Sequence, residues 1–260
     1  MDYVVYSDLD GTLLDDRYSF RAAERGLSLL KDSGIPLVLC SSKTRAELEA
    51  YRDRMMLEYP FIPENGSAVY VPEETFGFEF DYDSRRDGLF VIELGFKAGE
   101  LEAKVAELRE KHGLDYKTFS DMTVEEVALE SGLPVGEAML AKQREYSVVA
   151  TTMDENTVKV FRDAGLKVMR GGRYYCIGGS DKGTAVRTLT KLYRRVNPDI
   201  KTVGLGDSGN DLDMLLEVDV PVLVQKPDGS YEDLGLSGLV KADGVGPEGW
   251  SNAVAGLLEE

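Results

Sequence analysis

Short apolar runs at 3–7, 35–40, 202–205 and 221–224 each give way to small polar or acidic residues. Runs of that length, bounded by turn-forming residues, predict buried strands. The spacing of Phe20, Ala23, Leu27 and Leu30 predicts a helix over 20–32, which Gly34 ends. Further helices are expected over 45–58, 99–112, 154–164, 182–193, 212–217 and 250–259, with a shorter one at 123–132. Strands are expected at 61–62, 68–71, 90–94, 146–151, 166–169 and 173–177. Strands alternating with helices predict an α/β fold, a mostly parallel Rossmann-like sheet covered by helices.

The stretch 73–88 is rich in charge, aromatic residues and glycine, and the rhythm resumes beyond it in shorter units. This predicts a smaller α/β unit over 84–170, inserted into a core formed by 1–83 and 171–260. A chain of 260 residues has room for both.

Charge narrows the partners. Against 30 basic side chains stand 47 acidic ones, a net charge of −17. That field repels nucleic acid and anionic membrane surfaces, so neither is an expected partner. It also repels a phosphorylated ligand, so a phosphate site here needs a local lysine, arginine or metal. The apolar runs are too short to cross a bilayer. Asp2, Asp8 and Asp10 leave no secretory leader in the first ten residues, and Cys40 and Cys176 read as reduced core residues. The expected location is the cytoplasm.

Four polar loops carry candidate chemistry. Asp8-Leu9-Asp10-Gly11-Thr12 follows the first strand, and carboxylates two residues apart can point the same way. Asp8 is the candidate nucleophile and Asp10 the acid, then base, of a two-step phosphoryl transfer. Ser41-Ser42-Lys43-Thr44 follows the second strand, where a hydroxyl and backbone N–H groups can hold phosphoryl oxygens. Ser41 is favoured as the hydroxyl donor, with Ser42 next. Lys182, at the head of a helix, can place a positive charge beside Asp8. Gly206-Asp207-Ser208-Gly209-Asn210-Asp211 then opens another helix. Each loop alone also reads as an ordinary turn or cap; the combination does not.

Asp8, Asp10, Asp207 and Asp211 would crowd one crevice, and ionised carboxylates resist that without a cation. Mg²⁺ suits such hard oxygen ligands. The expected ligands are the carboxylates of Asp8 and Asp207 and the backbone carbonyl of Asp10. Asn210 and Asp211 are placed behind them as organisers or substrate contacts.

These loops, in this order, resemble the four motifs of the haloacid dehalogenase superfamily: Asp8 to Thr12, Ser41, Lys182, and Gly206 to Asp211. The resemblance spans essentially the whole chain. It implies a phosphatase core with a cap inserted between the second and third motifs. Glu64-Asn65-Gly66 and the small α/β insert resemble the Cof-like branch with a C2B cap. That branch usually has Thr-Gly-Arg in the second motif, whereas this chain has Ser41-Ser42-Lys43-Thr44-Arg45-Ala46-Glu47. With Arg170-Gly171-Gly172-Arg173 and Gln225 to Gly229, this resembles phosphatases acting on a small phosphorylated sugar-glycerate. Lys43, Arg170 and Arg173 are the candidate receivers of its anionic groups. The alternatives are a hexose or sucrose phosphate substrate, a phosphomutase, and a non-catalytic phosphosugar-binding protein.

Overall fold

The computed structural model describes residues 2–259. The chain begins with β1 (Tyr3–Ser7), α1 (Glu24–Asp32), β2 (Leu37–Cys40), α2 (Arg45–Met55), β3 (Phe61–Ile62), β4 (Ala68–Pro72), β5 (Ser84–Arg86) and β6 (Leu89–Glu93). A middle group follows: α3 (Ala98–His112), α4 (Val124–Ser131), α5 (Val135–Ala141), β7 (Val148–Ala150), α6 (Glu155–Asp163), β8 (Lys167–Gly171) and β9 (Tyr174–Gly178). The chain ends with α7 (Lys182–Val196), β10 (Lys201–Gly206), α8 (Leu212–Leu215), β11 (Val220–Gln225), β12 (Val240–Val245) and α9 (Gly246–Glu259).

Nine strands form one sheet in the order β12-β11-β10-β1-β2-β3-β4-β6-β5. From β12 to β3 all neighbours are parallel; β4, β6 and β5 continue antiparallel. The central strands are apolar on both faces because both faces are covered. In β1, Val5 packs into the cluster that holds Leu30 and Trp250, while Val4 and Tyr6 pack with Val186 and Leu189 of α7. The fold is α/β with a mostly parallel sheet, as the hydrophobic pattern predicts.

A second, antiparallel sheet has the order β7-β9-β8. The sheet pairings cut across the expected insert of 84–170. β5 and β6 bond to the large sheet, and β9 bonds to the small one. Sequence pattern also left β5, α5 and β12 unread, and α9 starts four residues earlier than expected, at Gly246. Among the described residues no helix is long and apolar enough to cross a membrane. Cys40 and Cys176 are buried and unpaired by disulfide.

One long-range contact and one between neighbours hold the start of the loop after β1. Trp250 is fully buried, and its Nε1 donates to Ser7 Oγ at 2.9 Å. Ser7 Oγ in turn donates to the Asp8 carbonyl at 2.7 Å. The indole of α9 thereby orients a hydroxyl beside the first candidate catalytic residue.

Candidate active site

Asp8 follows β1, and its N–H donates to Leu205 of β10 at 2.9 Å, so it stands between two parallel strands at their carboxyl ends. Open parallel sheets place their ligands in this crevice. Ser41 follows β2 and Asp207 follows β10 along the same edge.

Lys182 is the centre of the arrangement. It is 1% exposed, and its Nζ donates to Asp8 Oδ1 at 2.6 Å and Asp211 Oδ1 at 2.7 Å. α7 starts at Lys182 because Asp181 caps it, accepting from Thr184 N–H at 2.7 Å. Burial alone would pull the Lys182 ammonium down; Asp211 and Asp8 outweigh it and hold it above its ordinary value. For Asp8, burial is the largest influence and raises its carboxyl well above the usual range. Lys182 pulls it back, while Asp211, Asp207 and Asp10 push it further up.

Asp207 is pushed up to about 7, by burial first and then by the neighbouring Asp211. Thr12 Oγ1 donates to Asp207 Oδ1 at 3.3 Å, a partner that the sequence reading did not assign although Thr12 lies in the first motif. Gly11, at φ +77°, passes beside the other oxygen of Asp207. Asp211 is fully buried and committed on both sides: Oδ1 to Lys182, and Oδ2 to the N–H groups of Asp207 and Ser208, each at 3.1 Å. Asn210 Nδ2 donates to Asn65 Oδ1 at 3.0 Å, tying this loop to the turn after β3.

One oxygen each from Asp8, Asp207 and Asp211 lie within 4.8 Å of one another. Hard oxygens this close, in a buried pocket with one lysine, fit a divalent cation. Because both oxygens of Asp211 already accept hydrogen bonds, Asp8 and Asp207 are the better placed of the three to ligate it. The carboxylate of Asp10 lies apart from this trio and pairs with Lys43 Nζ at 3.0 Å.

Ser41 is fully buried and its Oγ accepts the Lys43 N–H at 3.3 Å; Ser42 is half-buried. Lys43 is 7% exposed and lies 3.9 Å from Glu47, over the rings of Tyr18 and Tyr51. Sequence reading named Lys43 but not this acidic and aromatic surround, because Tyr18 and Tyr51 come from separate segments. Arg170 and Arg173 have partners of their own on or beside the hairpin that carries them. They are exposed on the β8–β9 hairpin, where Arg170 Nε donates to the Gly172 carbonyl at 3.3 Å and Arg173 donates to the Glu130 carbonyl. Each guanidinium also lies over a neighbouring tyrosine, Tyr175 and Tyr174 respectively.

The profile of the haloacid dehalogenase-like hydrolases matches residues 5–82. The chain is also 43% identical to the glucosyl-3-phosphoglycerate/mannosyl-3-phosphoglycerate phosphatase of Methanococcoides burtonii, over 99% of this chain and 98% of that one. The chain belongs to the haloacid dehalogenase-like hydrolases. A second relative, the glucosyl-3-phosphoglycerate/mannosyl-3-phosphoglycerate phosphatase of Persephonella marina, is 38% identical over 99% of this chain and 97% of its own. The mannosyl-3-phosphoglycerate phosphatase of Pyrococcus furiosus is 39% identical over 85% and 90% of the two chains.

Solved structures share the fold of this hydrolase. A Thermoplasma acidophilum protein superposes with a TM-score of 0.69 at 17% identity, covering 100% of both chains. A haloalkanoate-superfamily phosphatase from Bacteroides thetaiotaomicron gives 0.69 at 20% identity, covering 100% of this chain and 95% of its own. The loops after β1, β2 and β10 and the head of α7 meet through the Lys43–Asp10, Lys182–Asp8, Lys182–Asp211 and Thr12–Asp207 contacts.

Proposed function

We propose that this hydrolase is a phosphomonoesterase acting on a sugar joined to 3-phosphoglycerate, mannosyl- or glucosyl-3-phosphoglycerate, and releasing the sugar-glycerate and phosphate. The observation that carries the chemistry is the buried Lys182, bonded at once to Asp8 and Asp211. A lysine so placed offsets charge beside a nucleophilic carboxylate. The substrate class is supported by full-length similarity to relatives bearing those names.

In this reading the Asp8 carboxylate attacks phosphorus, the bond from phosphorus to the glycerate oxygen breaks, and Asp10 gives that oxygen its proton. Water then attacks the aspartyl-phosphate and yields a proton to Asp10, which frees phosphate and restores Asp8. Ser41, Ser42 and the amides of their loop hold the phosphoryl oxygens. Asn210 and Asp211 keep the Asp207 loop in place. A divalent cation, Mg²⁺ in this reading, held by Asp8, Asp207 and the Asp10 carbonyl, supplies positive charge against the phosphoryl group when bound.

Lys43 takes the glycerate carboxylate, exchanging Asp10 for the substrate. Arg170 and Arg173 are weaker candidates for that anion, given their partners on the hairpin. The pairing of strands favours a cap formed by 94–179, joined to the core through 94–97 and 179–181.

The test compares kcat/KM for both glycosyl-phosphoglycerates, several hexose phosphates, sucrose phosphate and an aryl phosphate, with and without Mg²⁺. Asp8→Asn is run alongside. The glycosyl-phosphoglycerates should lead, and folded Asp8→Asn should lose at least about 10³-fold in turnover. A preference for hexose phosphates would end the substrate assignment. Wild-type turnover in Asp8→Asn would end the role of Asp8.

A further inference from the structure

Three consecutive carbonyls of the loop after β2 accept from donors outside that loop. Ser41 accepts from Asn65 N–H at 2.9 Å, Ser42 from Arg144 Nη1 at 2.7 Å, and Lys43 from Glu64 N–H at 2.9 Å. In a planar trans peptide, a carbonyl and the next N–H point in opposite directions. Holding the Ser42 and Lys43 carbonyls therefore fixes the N–H groups of Lys43 and Thr44, which donate to Ser41 Oγ at 3.3 Å and to Glu47 Oε2 at 2.8 Å, and holding the Ser41 carbonyl fixes that of Ser42.

The donors are themselves joined. Arg144 lies between α5 and β7, in the inserted part of the chain, whereas Glu64 lies in the core turn after β3. Glu64 is fully buried and its carboxylate accepts N–H bonds from Glu145 at 2.8 Å and Tyr146 at 3.1 Å, and the hydroxyl of Ser147. Arg144 Nη1 also donates to Ser147 Oγ, at 3.3 Å. Glu64 has φ +49°, a conformation that residues with a Cβ rarely adopt. Such a backbone persists only where its surroundings over-determine it. Here its N–H, its carbonyl (which accepts from Ser67 Oγ at 2.8 Å) and its carboxylate are all engaged.

We propose that Arg144 and Glu64 are positioning residues for phosphoryl transfer. Linked through Ser147, they hold the Ser42 and Lys43 carbonyls and so set the Lys43 N–H against Ser41 Oγ, which turns that hydroxyl toward the phosphoryl group. The loop is then set only while the segment 144–147 is seated on the core. This inference rests on the phosphatase reading above.

The test uses the full chain and an aryl phosphate, which makes no demand on sugar recognition. Arg144→Met keeps the apolar stem and removes the donors; Arg144→Ala opens space for added methylguanidinium. Both should lose about tenfold or more in kcat, the scale of a charge-assisted hydrogen bond. Methylguanidinium should restore much of the loss in Arg144→Ala and none in Arg144→Met. Wild-type kcat in either folded variant overturns the proposal. So does a loss in Arg144→Ala that methylguanidinium leaves unchanged, or a gain with methylguanidinium that is equal in Arg144→Ala and Arg144→Met. Should Arg144→Ala fail to fold, Arg144→Met decides alone by its kcat. A wild-type protein that releases no phosphate from any ester would instead overturn the proposed function.

Discussion

A Cβ added to Gly11 would stand 2.7 Å from Oδ2 of Asp207, which puts the first and fourth loops in contact with no room for a side chain. Gly11 also sits at φ +77°, a region that costs L-residues about 1–2 kcal/mol. Gly11→Ala should therefore displace the Asp207 carboxylate more than it unfolds the chain. The Mg²⁺ concentration for half-maximal activity should rise about tenfold or more. An unchanged Mg²⁺ dependence, measured by phosphate release, would show that the contact does not matter.

Removing the buried ammonium leaves Asp8 and Asp211 facing each other unpaired. Breaking a buried ion pair from one side costs about 3–5 kcal/mol. Lys182→Met should lower the Tm of the metal-free protein by roughly 6–20 °C for a chain of this size. Activity should be lost even below that Tm. A metal-free Lys182→Met protein as heat-stable as wild type would contradict the pairing seen here.

Divalent cation should stabilise the protein, and more so in mild alkali. Asp207 has its folded value raised to about 7, by burial first and by Asp211 next. The folded state thus holds this proton more tightly than the unfolded chain, and the associated stability is lost as pH rises from the ordinary carboxylate range through about 7. A cation must displace that proton, so its affinity should be about tenfold weaker near pH 6 than near pH 8. At about 100 times its Kd the gain is about 2.7 kcal/mol. Equal Mg²⁺-induced shifts in Tm at the two pH values would rule out this linkage.

Lys43 is held between Asp10 and Glu47 over two tyrosine rings, and the proposed function gives it the glycerate carboxylate. Lys43→Ala should raise KM for a glycosyl-phosphoglycerate about 10- to 100-fold. The KM for an aryl phosphate, which has no carboxylate, should change by less than about threefold. Parallel rises in both would assign Lys43 to the phosphate instead.

The site was legible in the sequence because its residues occupy short loops immediately after strongly apolar strands. Asp8, Ser41 and Asp207 could be placed at one sheet edge from pattern alone. The two edge strands were not legible. β5 reads Ser-Arg-Arg, and β12 carries Lys241 and Asp243 among residues largely exposed. Edge strands carry such charges because they block further pairing, and that removes the apolar signal. α5 was hidden by its length of seven residues and by Pro134 and Gly136 at its start. The pairing of β5 with β6 in the large sheet was hidden for the same reason: β5 has no hydrophobic pattern to declare its sheet. Motif spacing likewise says nothing of the Glu130 and Gly172 carbonyls to which Arg173 and Arg170 donate.

The indole of Trp250 reaches back across the molecule to Ser7, next to Asp8. During synthesis, the first loop leaves the ribosome long before its final brace exists. The Ser7 hydroxyl beside Asp8 gains that partner only after 243 further residues have been added. Premature termination before that tryptophan would therefore yield a chain with all four polar loops but without this brace on the first.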